Sequence, residues 1–374
     1  MTTIENAADF QEPEGIDAYS GSGWGEYPLD SVFVRTETRS VSEVVKRIES
    51  QRYVLDPDFQ REFVWANQKQ SKLIESCVMR IPLPVFYVAE APDGRIVVVD
   101  GLQRLTTFTR FLSNHLRLTG LAGDDSTGSH ALEGKYFKDL PISLQERVED
   151  TQLTMYILDA KAPERARLDI FERVNSGEPL TRQQMRNALY NGPATIWLKE
   201  SADGQAFQLA TGRSLNSKAM RDREAINRFC AFKLLGRRSY TKGDMDPFLA
   251  DGLNKLATLA SKERADLREM FDMTMELNRR LFGVHAFRKS LGAGPSSARS
   301  VINISLFEVC AVTMCDESVL VADQSLDAPL KSAVMALLHN DVFVRAISSG
   351  TSSTESVQTR FAAMEHAISL ASGK

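Results

Sequence analysis

The sequence predicts an α+β protein in which a small mixed domain precedes an all-helical one. Three observations predict it. The stretch Ile96-Val97-Val98-Val99-Asp100-Gly101-Leu102-Gln103-Arg104-Leu105-Thr106-Thr107-Phe108 passes from four β-branched residues through an abrupt Asp-Gly turn into helical spacing. Val85 to Ala89 and Arg95 to Val99 read as strands joined by Pro92-Asp93-Gly94, a good hairpin turn. Beyond Gly192-Pro193 only helical periods follow. The predicted boundaries are a flexible acidic tail over 1–30, the α+β domain over 31–178 and the helical domain over 179–374.

The elements follow in order. Val32-Phe33-Val34-Arg35 reads as a first strand. Ser40 with Glu43 makes a capping box for a helix through Glu49. Pro57-Asp58-Phe59 is an extended lead-in to Gln60-Arg61. Asn67 with Gln70 starts a helix to about Met79, which Pro82 and Pro84 forbid from continuing. After the strand–turn–helix stretch, Gly120 to Gly134 is a polar loop. A helix near Ser143–Asp150 leads to the strand Leu153–Leu158. Pro163 opens a helix ending near Asn175, with Gly177 beyond its end. Thr181 with Gln184 opens the next, closed by Gly192-Pro193. The helical remainder is interrupted near 201–218, 236–246 and 291–300.

Composition narrows the function classes. A chain of 374 residues can build two real cores, and a net charge of −4 creates no global field selecting nucleic acid or membrane. No apolar run reaches membrane-spanning length, and no secretory leader pattern opens the chain. Cys77, Cys230, Cys310 and Cys315 form no CxxC pair and no zinc spacing with the five histidines. The expectation is a soluble, reduced, cytoplasmic protein. Charge is nonetheless uneven. Residues 1–30 hold seven acids and no Lys or Arg, while residues 213–242 carry nine basic residues against Asp222 and Glu224. The basic stretch reads equally as a phosphate-facing surface, with Arg221, Arg223, Arg237 and Arg238 as DNA contacts, or as a solvated helix face with internal pairing.

The strand–turn–helix stretch carries the chemistry. A strand that ends in a Gly turn and opens a helix aims backbone N–H groups and a positive dipole end at one spot. Arg104 adds a guanidinium fork suited to phosphate, and Thr106 lies within the same helix. Arg61 offers a second guanidinium on an extended segment. Asn175 sits at a helix end with Glu172 one turn earlier, an oxygen pair suited to Mg²⁺. Each residue has a plainer role: Asp100 capping its helix, Arg61 on the surface, Asn175 ending its helix, Thr106 bonding back to a carbonyl.

Three motifs in order then set the family. Leu55-Asp56-Pro57-Asp58-Phe59-Gln60-Arg61-Glu62-Phe63-Val64-Trp65 comes first, the Asp100-Gly101-Leu102-Gln103-Arg104 turn second. Phe171-Glu172-Arg173-Val174-Asn175-Ser176-Gly177-Glu178-Pro179-Leu180, running on to Arg186-Asn187-Ala188, comes third. Together they resemble the N-terminal, GmrS-like domain of GmrSD-type restriction endonucleases, a relative of the ParB/sulfiredoxin fold marked by an Asp-Gly-Gln-Gln-Arg signature. The resemblance implies a nucleotide site formed by Gln60, Arg61, Gly101, Arg104, Thr106 and Asn175. It implies catalytic roles for Asp100, Gln103 and Arg104, and Mg²⁺ held through Glu172 and Asn175. Leu102 departs from the signature: it stands where a polar residue is expected, and a leucine cannot accept a proton, ligate a metal or orient water. The His-Asn-His nuclease domain of full-length relatives has no counterpart, because the five histidines lie far apart.

The function expected is therefore a Mg²⁺-dependent, NTP-binding and NTP-hydrolysing regulator of a restriction or antiphage system. It would act with DNA, with a separate nuclease or effector subunit, or as a homo-oligomer, and without a membrane. A non-enzymatic, nucleotide-gated binding module is the alternative. A ParB-like DNA nuclease ranks third, since no acidic cluster of two-metal character lies near the signature.

Overall fold

The computed structural model describes residues 12–16, 34–55, 65–91, 93–121, 130–174, 181–294, 296–321 and 323–373. The chain divides into two compact units, residues 24–189 and residues 190–374 with 1–23. The architecture is α+β, a small mixed sheet followed mostly by helices.

In the first unit, β1 (Val34–Ser40) runs into α1 (Val41–Glu49) without a loop. Ser40 makes the junction: its Oγ accepts from the Glu43 amide at 3.2 Å. The reciprocal half of the expected capping box is absent. Glu43 turns instead to the guanidiniums of Arg39 and Arg47, a stronger attraction for a carboxylate than a neutral amide. After β2 (Tyr53–Val54) come α2 (Asn67–Val78), β3 (Phe86–Glu90), β4 (Ile96–Asp100) and α3 (Leu102–Leu112). Then follow α4 (Ile142–Glu149), β5 (Gln152–Leu158), α5 (Glu164–Val174) and α6 (Arg182–Leu189). Thr181 and Gln184 make a true reciprocal cap on α6, at 3.2 and 2.7 Å. This helix belongs to the first unit.

The sheet order is β1-β5-β3-β4-β2. β1 and β5 pair antiparallel, as do β3 and β4, while β5/β3 and β4/β2 are parallel. The β3–β4 hairpin turns at Gly94, with Asp93 Oδ1 accepting from the Arg95 amide at 3.0 Å. Ile96, Val97, Val98 and Val99 are all buried, which is why this strand reads as an unbroken apolar run. Val44, Ile74, Phe86, Phe108 and Met155 anchor the core beside it.

The second unit holds α7 (Pro193–Asp203), α8 (Gln205–Thr211), α9 (Arg221–Leu235), α10 (Met245–Thr258) and α11 (Ser261–Phe282). It continues with α12 (Ile304–Met314), α13 (Glu317–Leu320), α14 (Asp327–Leu337), α15 (Asp341–Ala346) and α16 (Thr354–Ala371). The expected breaks at 236–246 and 291–300 are present; that at 201–218 is partly filled by α8, which Gly204 and Gly212 bound. Phe229, Phe232, Phe271, Phe307 and Phe361 lie at the centre. Within that core Glu308 receives Arg228 at 3.1 Å and Arg360 at 2.7 Å, all three fully buried. Residues 12–16, part of the predicted tail, lie along the entry to α12. The Glu14 amide donates to Ile302 O at 2.9 Å, the Ile304 amide returns to Glu14 O at 2.8 Å, and Glu14 meets Lys289 at 2.7 Å.

Candidate functional site

The turn from β4 into α3 is built around Gly101. Its φ of 103° is left-handed, and a Cβ there would come within 2.3 Å of the Phe86 ring, so only glycine fits. Gly101 occupies the N-cap position and has no side chain with which to cap α3. A glycine there offers the first-turn donors of the helix no acceptor of its own, an arrangement that suits an anion.

Asp100 does not cap the helix, contrary to its plainer reading. It remains in β4, opposite Tyr87, and its Oδ2 accepts from Arg104 Nη2 at 2.8 Å. The reason is geometric: glycine has taken the cap position, and i, i+4 spacing brings Arg104 over the strand end. Arg104 also donates from Nη1 to Pro84 O and from Nη2 to Val85 O at 3.1 Å, and its guanidinium lies 4.1 Å from the Phe86 ring centroid. Burial pushes its pKa below the ordinary value, and the Asp100 charge opposes that shift. Both Nη atoms thus face acceptors of the chain itself. The Asp100 carboxylate keeps a 42% exposed side chain beside them.

Gln103 reaches back to the segment that follows the first motif, with Oε1 accepting from the Trp65 amide at 3.3 Å. Trp65 packs against the core as a partly buried residue, and Lys69 Nζ stands 4.4 Å from its ring centroid. Leu102 packs against the same core. Thr106 is half-buried, and its neighbour Thr107 bonds back to Gln103 O at 2.7 Å.

Gln60, Arg61 and Asn175 lie outside the described residues. Glu172 is described: its exposed carboxylate is 3.6 Å from Arg182 Nη2, which binds Asp169 more closely at 2.6 Å. Among the described residues, no group of three or more His, Cys, Asp or Glu is placed to hold a metal ion. Asp100 and Glu172 each keep an exposed carboxylate of the kind a hard cation takes, and each also faces an arginine, Arg104 and Arg182 respectively.

Sequence reasoning missed a buried polar set on α5 and α6. Arg167 is 2% exposed and donates to Glu90 O at 2.9 Å, with Glu164 at 3.7 Å. Gln183, Arg186 and Asn187 are buried on one side of α6, and Arg186 Nη1 reaches Gln183 Oε1 at 3.4 Å. Asn187 Oδ1 is buried with no hydrogen-bond partner. Their i, i+3, i+4 spacing was the available signal: three polar residues on one stripe of a short helix mark either an exposed face or a functional one.

The basic stretch of the second unit is compensated in part. Arg221 meets Glu224 at 2.9 Å and Glu12 at 3.1 Å. Arg237 is held by both oxygens of Glu365, at 2.9 and 2.8 Å, and by Gln358. Arg228 is in the core, and Lys233 donates to Cys315 O. Arg223 is half-buried, with Met220 Sδ 3.7 Å away, while Arg238 is exposed. Among the described residues no helix is long and apolar enough to cross a membrane.

No curated protein matches the chain. A family model does, over residues 41–191, which span β2 to β5, the Gly101 turn and α6. It is the model of the GmrSD restriction endonuclease N-terminal domain, and it ties the chain to restriction and defence systems. Residues 41–191 of this protein are similar to the GmrSD restriction endonuclease N-terminal domain family.

Proposed function

We propose that the protein is a cytoplasmic, NTP-binding and NTP-hydrolysing component of a restriction system, dependent on Mg²⁺ and working with a separate nuclease subunit and DNA. The observation that carries this reading is the left-handed glycine at the N-cap of α3, inside the region that matches the restriction-endonuclease family. There the first-turn amides would receive phosphate oxygens, and Asp100 would sit beside them. Gln60, Arg61 and Thr106 complete the proposed nucleotide set. Asp100, Glu172 and Asn175 would hold Mg²⁺, which when bound would neutralise the phosphate charge. Gln103 would orient the attacking water, with Arg104 positioning Asp100 as much as touching phosphate.

A second reading, a non-enzymatic nucleotide-gated module, is favoured by Leu102. It packs against the core where hydrolysis would call for a polar side chain. Phosphate release from the four common NTPs, with Mg²⁺ and with EDTA, with and without DNA, separates the two. Mg²⁺-dependent release supports hydrolysis. Saturable NTP binding without release supports the gated module, and neither binding nor release overturns both.

A further inference from the structure

The second unit holds a cleft of about 780 Å³ between α8, the end of α11 and the segment before α12. Its wall is partly apolar, with Leu209, Ala210 and the exposed Val284; its cations are Arg279, Arg280 and Arg299. Glu276 is the only acid lining it among the described residues. Arg280 is neutralised by Asp327, at 2.8 and 2.9 Å. Arg279 and Arg299 have no ion-pair or hydrogen-bond partner within the described chain.

Behind the wall lies Arg288, 2% exposed. All its acceptors are neutral: Val284 O at 3.2 Å, Ser300 O at 2.8 Å, Thr211 O at 2.8 Å and Ser214 Oγ at 2.6 Å. Arg288 and Arg299 converge on Gly212. A Cβ at that position would be 3.0 Å from Arg299 Nη1 and 3.9 Å from Arg288 Nη2. Burial pushes the Arg288 guanidinium down to about 10, and the Arg299 charge adds to that shift. The C-terminal carbonyls of α8 explain one of these cations, because a helix end attracts a guanidinium. They do not explain the second. The backbone next to Arg299 is held by reciprocal bonds of its neighbour: Ser300 N to Ser290 Oγ at 3.1 Å and Ser290 N to Ser300 Oγ at 3.2 Å. Arg288 is a buried cation with neutral acceptors only, and the exposed Arg299 adds a second positive charge beside it, so this wall of the cleft favours an anion.

We propose that this cleft binds the phosphate of a nucleotide-sized ligand, with Arg299 and Arg279 as the contacting cations and the apolar wall receiving its non-phosphate part. The cleft lies within the size range of small-molecule sites, and guanidinium forks match phosphate oxygens. Arg288 acts through the field it adds behind Gly212.

Calorimetric titration of the full chain with pyrophosphate, AMP and a short DNA duplex tests this. Saturable pyrophosphate and AMP binding is expected, weakened about ten-fold or more in Arg299→Gln and in Arg279→Gln. Both variants should melt like the parent, since neither side chain has a partner to lose. Absence of pyrophosphate and AMP binding, or binding unchanged in both variants, overturns the proposal. So does binding confined to the duplex, which assigns the cleft to a nucleic-acid backbone. NTP phosphate release by Arg299→Gln should equal the parent's, so this reading and the NTPase reading fail in separate assays.

Discussion

Asp100 Oδ2 and Arg104 Nη2 stand 2.8 Å apart across the β4–α3 turn, and the same guanidinium serves two backbone carbonyls and lies over the Phe86 ring. Four interactions converge on one planar fork. Arg104→Lys keeps the charge, but one ammonium cannot reach Pro84 O, Val85 O and Asp100 together and still cover the ring. The variant should lose about 1–3 kcal/mol of stability, the scale of hydrogen bonds to a charged group. A urea midpoint equal to the parent's contradicts this account of the turn.

Gly101→Ala should be worse than a usual glycine replacement. The left-handed φ disfavours any side chain, and the new methyl would overlap the Phe86 ring at 2.3 Å. The two effects each cost about 1–3 kcal/mol. Pairing the variant with Phe86→Leu should relieve the overlap and leave the backbone strain, so rescue is partial. Complete rescue would show that φ carries none of the cost.

Most of the fold was legible because its signals are local. Ser40, Thr181 and Gly94 fix a helix start, another helix start and a hairpin through contacts within a few residues. The four β-branched residues of β4 announce burial by themselves. The candidate site was legible only as far as Gly101. The partner of Asp100 followed from where glycine sits relative to the helix, and the Pro84 and Val85 carbonyls that hold Arg104 are distant in sequence. Arg186 and Asn187 belong to the third motif, but their burial depends on how α6 packs, which spacing alone does not determine. The basic stretch shows the same limit: Glu365 lies 128 residues from the Arg237 it neutralises.

That pairing bears on DNA. With Arg221 and Arg237 committed to carboxylates, Arg223 and Arg238 are the cations of the predicted DNA set that form no ion pair among the described residues. Any DNA affinity of this stretch should therefore depend weakly on salt, with log K falling by about 0.9 per phosphate neutralised and few phosphates involved. Arg238→Glu should reduce that slope, as read by fluorescence anisotropy across a salt series. A steep slope left intact by Arg238→Glu assigns DNA contact to another surface.

Asp222 gives stability a pH dependence of defined sign. Buried near the start of α9, it accepts the Arg223 amide at 2.7 Å, and burial pushes its carboxyl from 3.8 up to about 6, with Asp203 adding to the shift and Arg223 opposing it. Between about pH 4 and pH 6 the folded protein keeps a proton that the unfolded chain has released. Stability contributed by this group therefore falls as pH rises through that window, by roughly 3 kcal/mol in total. Asp222→Asn removes the titration and keeps an acceptor for the Arg223 amide. Its stability relative to the parent should climb from pH 4 to pH 7 in denaturant midpoints; a constant difference rules out this linkage.

Glu308 is the most consequential single acid in the helical unit. It is fully buried and stands between Arg228 at 3.1 Å and Arg360 at 2.7 Å, while the next carboxylate, Glu224, is 3.9 Å from Arg228. Arg360 is further tied to Ala346 O at 3.2 Å and Thr351 O at 2.6 Å, so it cannot swing to water when its counter-charge is lost. Glu308→Gln preserves shape but leaves two buried guanidiniums facing a neutral amide. The expected loss is about 3–5 kcal/mol, that of breaking a buried ion pair from one side. Replacing Arg228 by Met in the same background removes one of the stranded charges and should recover part of it, because a neutral side chain of similar length has no desolvation cost to offset. Strict additivity of the two losses would show that the three side chains do not act as a unit.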